Sequence, residues 1–380
     1  MNALANSSLA KIILTMVSCT ALALAQDTAA TTPENTTALN EAPHFFHQKD
    51  GSVIAKWIAG GEIKTRRFPK GAPIELPEFA SLLGNKLHLK PYKLDPAVWK
   101  QPGKFLAISD VEGQYDFMFR FLKNSGVIDK DGKWAFGEGH LICIGDMVDR
   151  GQQVTETLLL LVRLFKESQE AGGYVHHVLG NHEVMMMGGD IRYTAPKYKA
   201  AALRLGIPCE GLLGADTEVG RFLRTRHALV RIGDYLFVHA GISLPIANTK
   251  LGIDKLNKLT RSILGVPPTE IKDSFTQSVA WGPLGPLWYR GYFKEYEASF
   301  GPQPSVEEMD KILSAFDAKT IVIGHTKVTQ VGTLFGNRRV LAIDIPWTDA
   351  NNIRGIFVEG DKLDIVDING KRVPFSDNQN

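Results

Sequence analysis

Five times along the chain, a short apolar run rich in β-branched residues ends on a loop whose side chains can hold cations or move protons. Phe105–Ile108 leads into Ser109-Asp110-Val111-Glu112-Gly113, and Leu141–Ile144 into Gly145-Asp146-Met147-Val148-Asp149-Arg150-Gly151. Val175–Leu179 leads into Gly180-Asn181-His182-Glu183, Tyr235–Val238 into His239-Ala240-Gly241, and Thr320–Ile323 into Gly324-His325-Thr326. Runs of this length and composition read as buried strands. In open α/β sheets the ligand crevice lies at the carboxyl ends of the strands, because the strand fixes the backbone while the loop aims a side chain. The chain is therefore expected to be α/β, with five strands delivering their loops to one sheet edge.

The loops carry a specific inventory. Asp110, Glu112, Asp146 and Asn181 offer oxygen donors, and His239 and His325 offer imidazole nitrogens. Such a set suits a pair of divalent ions, which sit about 3.5–4 Å apart and hold the attacking and leaving oxygens of an in-line displacement. A shared carboxylate is needed, and Asp146 is the natural bridge. Asp110, Glu112 and Asp146 are assigned to the first ion; Asp146, Asn181, His239 and His325 go to the second. Water between two cations loses its proton near neutral pH, so a metal-bridging hydroxide is the expected nucleophile and no covalent intermediate is required.

Three further residues have separate expected roles. Asp149 can accept a hydrogen bond from His182 and keep that imidazole protonated as general acid for the leaving oxygen. Arg150 precedes Gly151-Gln152-Gln153, which opens a helix through Leu158–Leu161, so its guanidinium and the helix amino end should both attract an anion. Arg290, in Leu287-Trp288-Tyr289-Arg290-Gly291, is a second candidate phosphate clamp, and Asn181 is expected to touch substrate as well as metal.

The five motifs together resemble those of the calcineurin-like metallophosphoesterases and, within them, the Shewanella-like protein phosphatases of the PPP-type group. The likeness runs over about residues 104–360 and extends to Gly189-Asp190-Ile191-Arg192-Tyr193, Gly214–Arg224 and Pro286–Gly291. It implies two mixed β-sheets packed as a sandwich and flanked by helices, and it supports the ligand, acid and Arg150 assignments. It also implies two divalent ions (Mn, Fe, Zn, Mg or Ca) and phosphoprotein or small phosphate-ester substrates, with phosphotyrosine activity in some relatives. One departure stands out. The family's first motif reads Asp-x-His-Gly, whereas this chain has Asp110-Val111-Glu112-Gly113. A carboxylate in place of an imidazole adds charge and an oxygen donor, shifting preference toward Mn, Mg, Ca or Fe(II). Lys327 stands where many metallophosphoesterases have a further histidine; a protonated lysine cannot ligate a metal, and PPP-type proteins lack that histidine too.

The reading is of a secreted dinuclear-metal phosphomonoesterase, a protein phosphatase for tyrosine or serine/threonine. Two alternatives remain open: a phosphodiester or nucleotide phosphohydrolase, and a non-catalytic phosphate-binding module. The formal charge of +2, with no long basic run, argues against a nucleic-acid-binding face. Residues 1–25 read as a signal peptide, with Lys11, the apolar Ile12–Leu24 stretch and a cleavage site at Ala23-Leu24-Ala25. That stretch is too short for a stable membrane span, and export to a periplasm or beyond is expected. A lipid anchor on Cys19 is the rival reading. Residues 26–42 read as a flexible leader and 43–100 as an amino-terminal extension packed on the core. Residues 101–370 form the catalytic domain, with a cap insert at about 184–232 carrying a helix near Lys197–Leu205, and 371–380 form a tail. Cys143 and Cys209 are expected as free thiols, Cys143 buried within its strand.

Overall fold

A computed structural model describes residues 39–376. The export segment, Cys19, most of the leader and the last four residues lie outside the described residues. The strands expected from the five apolar runs all form: β5 (Lys104–Ile108), β6 (His140–Ile144), β7 (Tyr174–Val178), β9 (Tyr235–Val238) and β10 (Thr320–Ile323). They do not share one sheet. One six-stranded sheet has the order β15-β14-β13-β5-β6-β7, where β13 is Arg354–Glu359, β14 Lys362–Asp367 and β15 Arg372–Pro374. The other runs β11-β12-β10-β9-β8-β4, with β4 at Val98–Trp99, β8 at Leu229–Ile232, β11 at Gly332–Leu334 and β12 at Val340–Ala342. Both sheets are mixed: β5, β6 and β7 run parallel while β13 is antiparallel to β5, and β10 is parallel to β9 and β12 while β8 is antiparallel to β9.

Side-chain alternation along each strand explains how the two sheets stack. Phe105 and Ala107 of β5, with Ile142 and Ile144 of β6, join Val230, Phe237, Val322 and Leu341 of the opposite sheet in one buried cluster. The Phe105 and Phe237 rings meet edge to face at 5.6 Å. The alternate residues Leu106, Ile108, Leu141 and Cys143 face outward into the helical layer. The helix Val154–Glu170 is buried over most of its length, lying between β7 and a small amino-terminal sheet, with Leu158–Val162 as its apolar centre. Cys143 and Cys209 are free and buried, and burial pushes the Cys209 thiol up to about 11.

The expected boundaries shift in four places. The leader ends before Glu41, where β1 (Glu41–His47) begins a three-stranded antiparallel sheet with β2 (Val53–Ala59) and β3 (Glu62–Phe68). The extension ends earlier than residue 100, since Val98–Trp99 is an edge strand of the sandwich. The insert stops before Leu229, because β8 pairs with β9. The tail starts after Pro374, because β15 pairs with β14. In each case ladder hydrogen bonding sets the boundary.

The amino-terminal sheet rests on the insert and on the 154–170 helix. His47 donates its backbone N–H to Asp216 at 2.7 Å, and its ring meets the buried Glu218 carboxylate at 2.7 Å. Lys166 of the helix and Tyr92 also reach Glu218. Lys197 pairs with Glu41 at 2.9 Å. No helix among the described residues is long and apolar enough to cross a membrane.

Candidate active site

The loops after β5, β6, β7, β9 and β10 converge where the two sheets present neighbouring strand ends. Their backbone is unusual. Asp110, Glu112, Asp146, Asp149, Arg150 and His325 all have φ between 49° and 69°, left-handed values that non-glycine residues seldom adopt. They are six of the eleven such residues among those described, so strain concentrates in one cleft. Packing is close enough to require glycine: a Cβ on Gly180 would overlap the Asp146 carboxylate, and one on Gly324 would overlap Ser109 and Asp110.

Asp146, His239 and His325 bring one ligating atom each within 4.8 Å of one another, all buried. His239 Nδ1 donates to the Ile144 carbonyl at 2.8 Å, which aims Nε2 at Asn181 Oδ1 (2.8 Å) and Asp146 Oδ2 (3.3 Å). Burial alone would lower the His239 pKa; Asp146 and Asp110 override it and push it up to about 10. An imidazole nitrogen, a carboxylate oxygen and an amide oxygen are thus gathered at one point, a donor set that suits a cation. Burial likewise opposes ionisation of Asp146, but His239 and His182 hold its carboxyl well below the usual range. His325 Nε2 is buried with no hydrogen-bond partner, and burial, His239 and Arg290 keep that ring neutral. A buried neutral imidazole nitrogen facing a carboxylate and a second imidazole fits a borderline metal ion.

Asp110 and Glu112 are not drawn into this cluster. They line an adjoining cavity of about 220 Å³ with Asp146, Asp344, Arg290 and Lys327. The Asp110 carboxylate accepts from Ser109 Oγ and from the His325 backbone N–H at 3.1 Å, and burial and the nearby Asp344 raise its pKa. Glu112 is ion-paired with Arg150; burial raises its pKa, and Arg150 and Lys327 partly offset this. Asp344 is a further carboxylate in this wall. Burial and Glu112 push it up to about 7, and its Oδ1 has no partner. Several crowded carboxylates beside partnerless donor atoms make a set whose charge a divalent cation would balance.

The acid half is assembled. His182 Nδ1 meets Asp149 Oδ2 at 2.8 Å, leaving Nε2 3.7 Å from Asp146 Oδ2 and exposed to the cleft. Burial works against the imidazolium, but Asp146 and the Asp149 hydrogen bond raise the pKa above its ordinary value. Arg150 and Arg290 both line the cavity above Asp146, with Arg290 Nη1 3.1 Å from Thr326 Oγ1. The amino end of the 154–170 helix does not contribute as expected. Tyr198 Oη accepts from the Val154 N–H at 2.5 Å, so the insert caps that end and leaves Arg150 as the anion contact. Next to the metal-type residues opens a second cavity of about 600 Å³, lined by Met185, Tyr193, Trp281, Trp288, Tyr296 and Phe300, with Arg150, His182 and Arg290 on its shared wall.

One positioning residue, Glu183, has no expected role although it lies within a quoted motif. Its buried carboxylate accepts backbone N–H groups from Asp146 (3.0 Å), Met147 (2.8 Å) and Gly180 (2.8 Å), tying the second motif to the third. The signal was present in the sequence as an unexplained acid beside His182. His176 lies away from the cleft, its Nε2 3.0 Å from His140 Nδ1.

Comparison with known proteins agrees with this geometry. The calcineurin-like phosphoesterase family profile matches residues 103–329. Similar curated proteins include Shewanella-like protein phosphatase 2 of Arabidopsis thaliana, 24% identical over 60% of this chain and 67% of its own length. Shewanella-like protein phosphatase 1 of Plasmodium berghei is 27% identical, covering 66% of this chain and 68% of its own. Among solved structures, the cold-active protein-tyrosine phosphatase of a psychrophilic Shewanella species superposes with a TM-score of 0.81 at 34% identity, over 89% of this chain and 99% of that one. The chain belongs to the calcineurin-like phosphoesterase family and is a metal-dependent phosphatase.

Proposed function

We propose that this phosphatase is an exported protein phosphatase with a dinuclear metal centre and a preference for phosphotyrosine over alkyl phosphate esters. The observation that carries the proposal is the arrangement of the His182–Asp149 pair and two arginines on the wall between the carboxylate-lined cavity and the aromatic one. Asp110, Glu112 and Asp146 would hold one ion, and Asp146, Asn181, His239 and His325 the other. When bound, such ions supply Lewis acidity toward phosphoryl oxygen and an activated water.

The chain's own residues do the rest. Arg150 and Arg290 receive the phosphoryl oxygens, since guanidinium forks match that geometry. His182, protonated and held at Nδ1 by Asp149, gives its Nε2 proton to the departing oxygen. Trp281, Trp288 and Tyr296 offer an apolar wall to an aryl leaving group and exclude water around it. The Shewanella neighbour is described as a protein-tyrosine phosphatase, which supports the same substrate class.

The test is hydrolysis of phosphotyrosine and phosphoserine peptides after chelation and re-addition of single metals, with Asp146→Asn alongside. Activity lost on chelation, restored by a divalent ion and absent in Asp146→Asn is expected. Turnover indifferent to chelator would refute the mechanism, and equal kcat/KM on the two peptides would refute the substrate class.

A further inference from the structure

The insert between the third and fourth motifs reaches back to the acid pair, and it does so through two adjacent residues. Thr194 is buried, and its Oγ1 donates to Asp149 Oδ1 at 2.6 Å. The other oxygen of the same carboxylate takes His182 Nδ1 at 2.8 Å. Asp149 has no other side-chain partner among the described hydrogen bonds, so Thr194 fixes which oxygen faces the histidine and at what tilt. Tyr193 completes the contact. Its carbonyl accepts the Arg150 N–H at 3.0 Å, and its ring lies 5.0 Å from the His182 ring and 5.2 Å from the Arg150 guanidinium.

These contacts have a physical task. Asp149 and Arg150 sit at φ 69° and 54°, conformations costing roughly 1–3 kcal/mol each for non-glycine residues, so they persist only where surrounding structure holds them. The insert supplies that hold along its length: Lys197 Nζ donates to the Gln152 carbonyl at 2.6 Å, and Tyr198 Oη caps Val154. A carboxylate with only the histidine as partner could rotate about its last torsion and swing the imidazole; one pinned at both oxygens cannot.

We infer that Thr194, backed by Tyr193, is a positioning residue for the general acid, making the insert part of the proton-delivery apparatus and not only a cover. The inference rests on the reading of His182 as acid. General acid assistance matters in proportion to the basicity of the leaving oxygen. Mispositioning the acid should therefore slow phenyl phosphate, whose leaving group is basic, much more than 2,4-dinitrophenyl phosphate, whose leaving group departs unaided.

The experiment measures kcat and KM for both esters, with metal content, in wild type, Thr194→Val, Thr194→Ser and His182→Ala. Thr194→Val is expected to lose roughly tenfold in kcat on phenyl phosphate, the scale of one lost hydrogen bond to a charged group, and less than about twofold on the dinitrophenyl ester. KM and metal content should hold, and Thr194→Ser should recover most of the loss. If His182→Ala shows the leaving-group dependence while Thr194→Val loses equally on both esters, or loses nothing, the positioning role is overturned. If His182→Ala itself slows both esters equally, the acid assignment fails and the inference falls with it.

Discussion

Glu183→Gln removes one charge and one acceptor from a buried junction, and the geometry sets the cost. In the native chain Oε2 accepts the Asp146 and Gly180 N–H groups while Oε1 accepts that of Met147. The best amide orientation keeps the carbonyl on the first two and turns its NH₂ toward the Met147 N–H, leaving two donors face to face. One bond to a charged acceptor is lost, at roughly 1.5–3 kcal/mol, and a buried donor is left unsatisfied, at roughly 1–3 kcal/mol. The two surviving bonds also weaken once their acceptor is neutral. The two losses together destabilise by about 2.5–6 kcal/mol at pH 7. Urea unfolding should show it as a lower midpoint with an unchanged slope. Because the lost bond is at Met147, directly after Asp146, and the bonds to Asp146 and Gly180 weaken, metal stoichiometry should fall in the same variant. The exposed Glu307→Gln serves as control and should shift stability by less than about 0.5 kcal/mol. A loss below about 1 kcal/mol with full metal content in Glu183→Gln would show that these three hydrogen bonds do not hold the site.

Three more outcomes are expected. Burial lowers the His140 pKa from 6.5 to about 4 and also holds that of its partner His176 well below its ordinary value. Both groups are neutral in the fold and protonate more readily when unfolded, so stability is complete above about pH 6.5 and is lost as pH falls toward 4; His140→Gln should flatten that slope in acid-unfolding titrations. Glu112→His should raise zinc affinity relative to magnesium by at least the roughly tenfold that outer-shell changes already produce, measured by competition titration of the metal-free protein. An unchanged ratio would place Glu112 outside the coordination sphere. Trp281→Ala should lower kcat/KM for a phosphotyrosine peptide by roughly tenfold and for a phosphoserine peptide by less than about twofold, and parallel losses would remove the aromatic wall from specificity.

Much of this fold was legible because its strands are long enough to show composition. The runs at 105–108, 141–144, 175–179, 235–238 and 320–323 match observed strands within a residue or two at each end. What periodicity cannot carry is strand order, so the division of five site strands between two sheets had to come from tertiary pairing. Val98–Trp99 has only two residues in its ladder and no period to read. Leu229–Ile232 was absorbed into the insert because nothing local marks where the insert ends. In the site, residue types announced Asp146, His182, His239 and His325, whereas the bonds of Glu183 to Met147, Tyr198 to Val154 and Thr194 to Asp149 join residues 36, 44 and 45 positions apart and leave no local trace.

Strain links these observations. Each left-handed non-glycine residue in the cleft is unfavourable alone, yet they hold one another. Asp110 donates its N–H to Gly145, Glu112 to Asp146, Gly151 to Glu112 and Arg150 to Tyr193, at 2.9–3.1 Å, and His325 donates to the Asp110 carboxylate. The first, second and fifth motifs, with the insert, are therefore joined in one hydrogen-bonded network. Glu112 belongs to that network by its backbone. It occupies the same kind of left-handed turn as Asp110, Asp146 and His325, so its side chain is delivered to the cleft whatever donor atom it carries. That is the physical reason to treat a carboxylate here as a change in the character of the site and not as its loss.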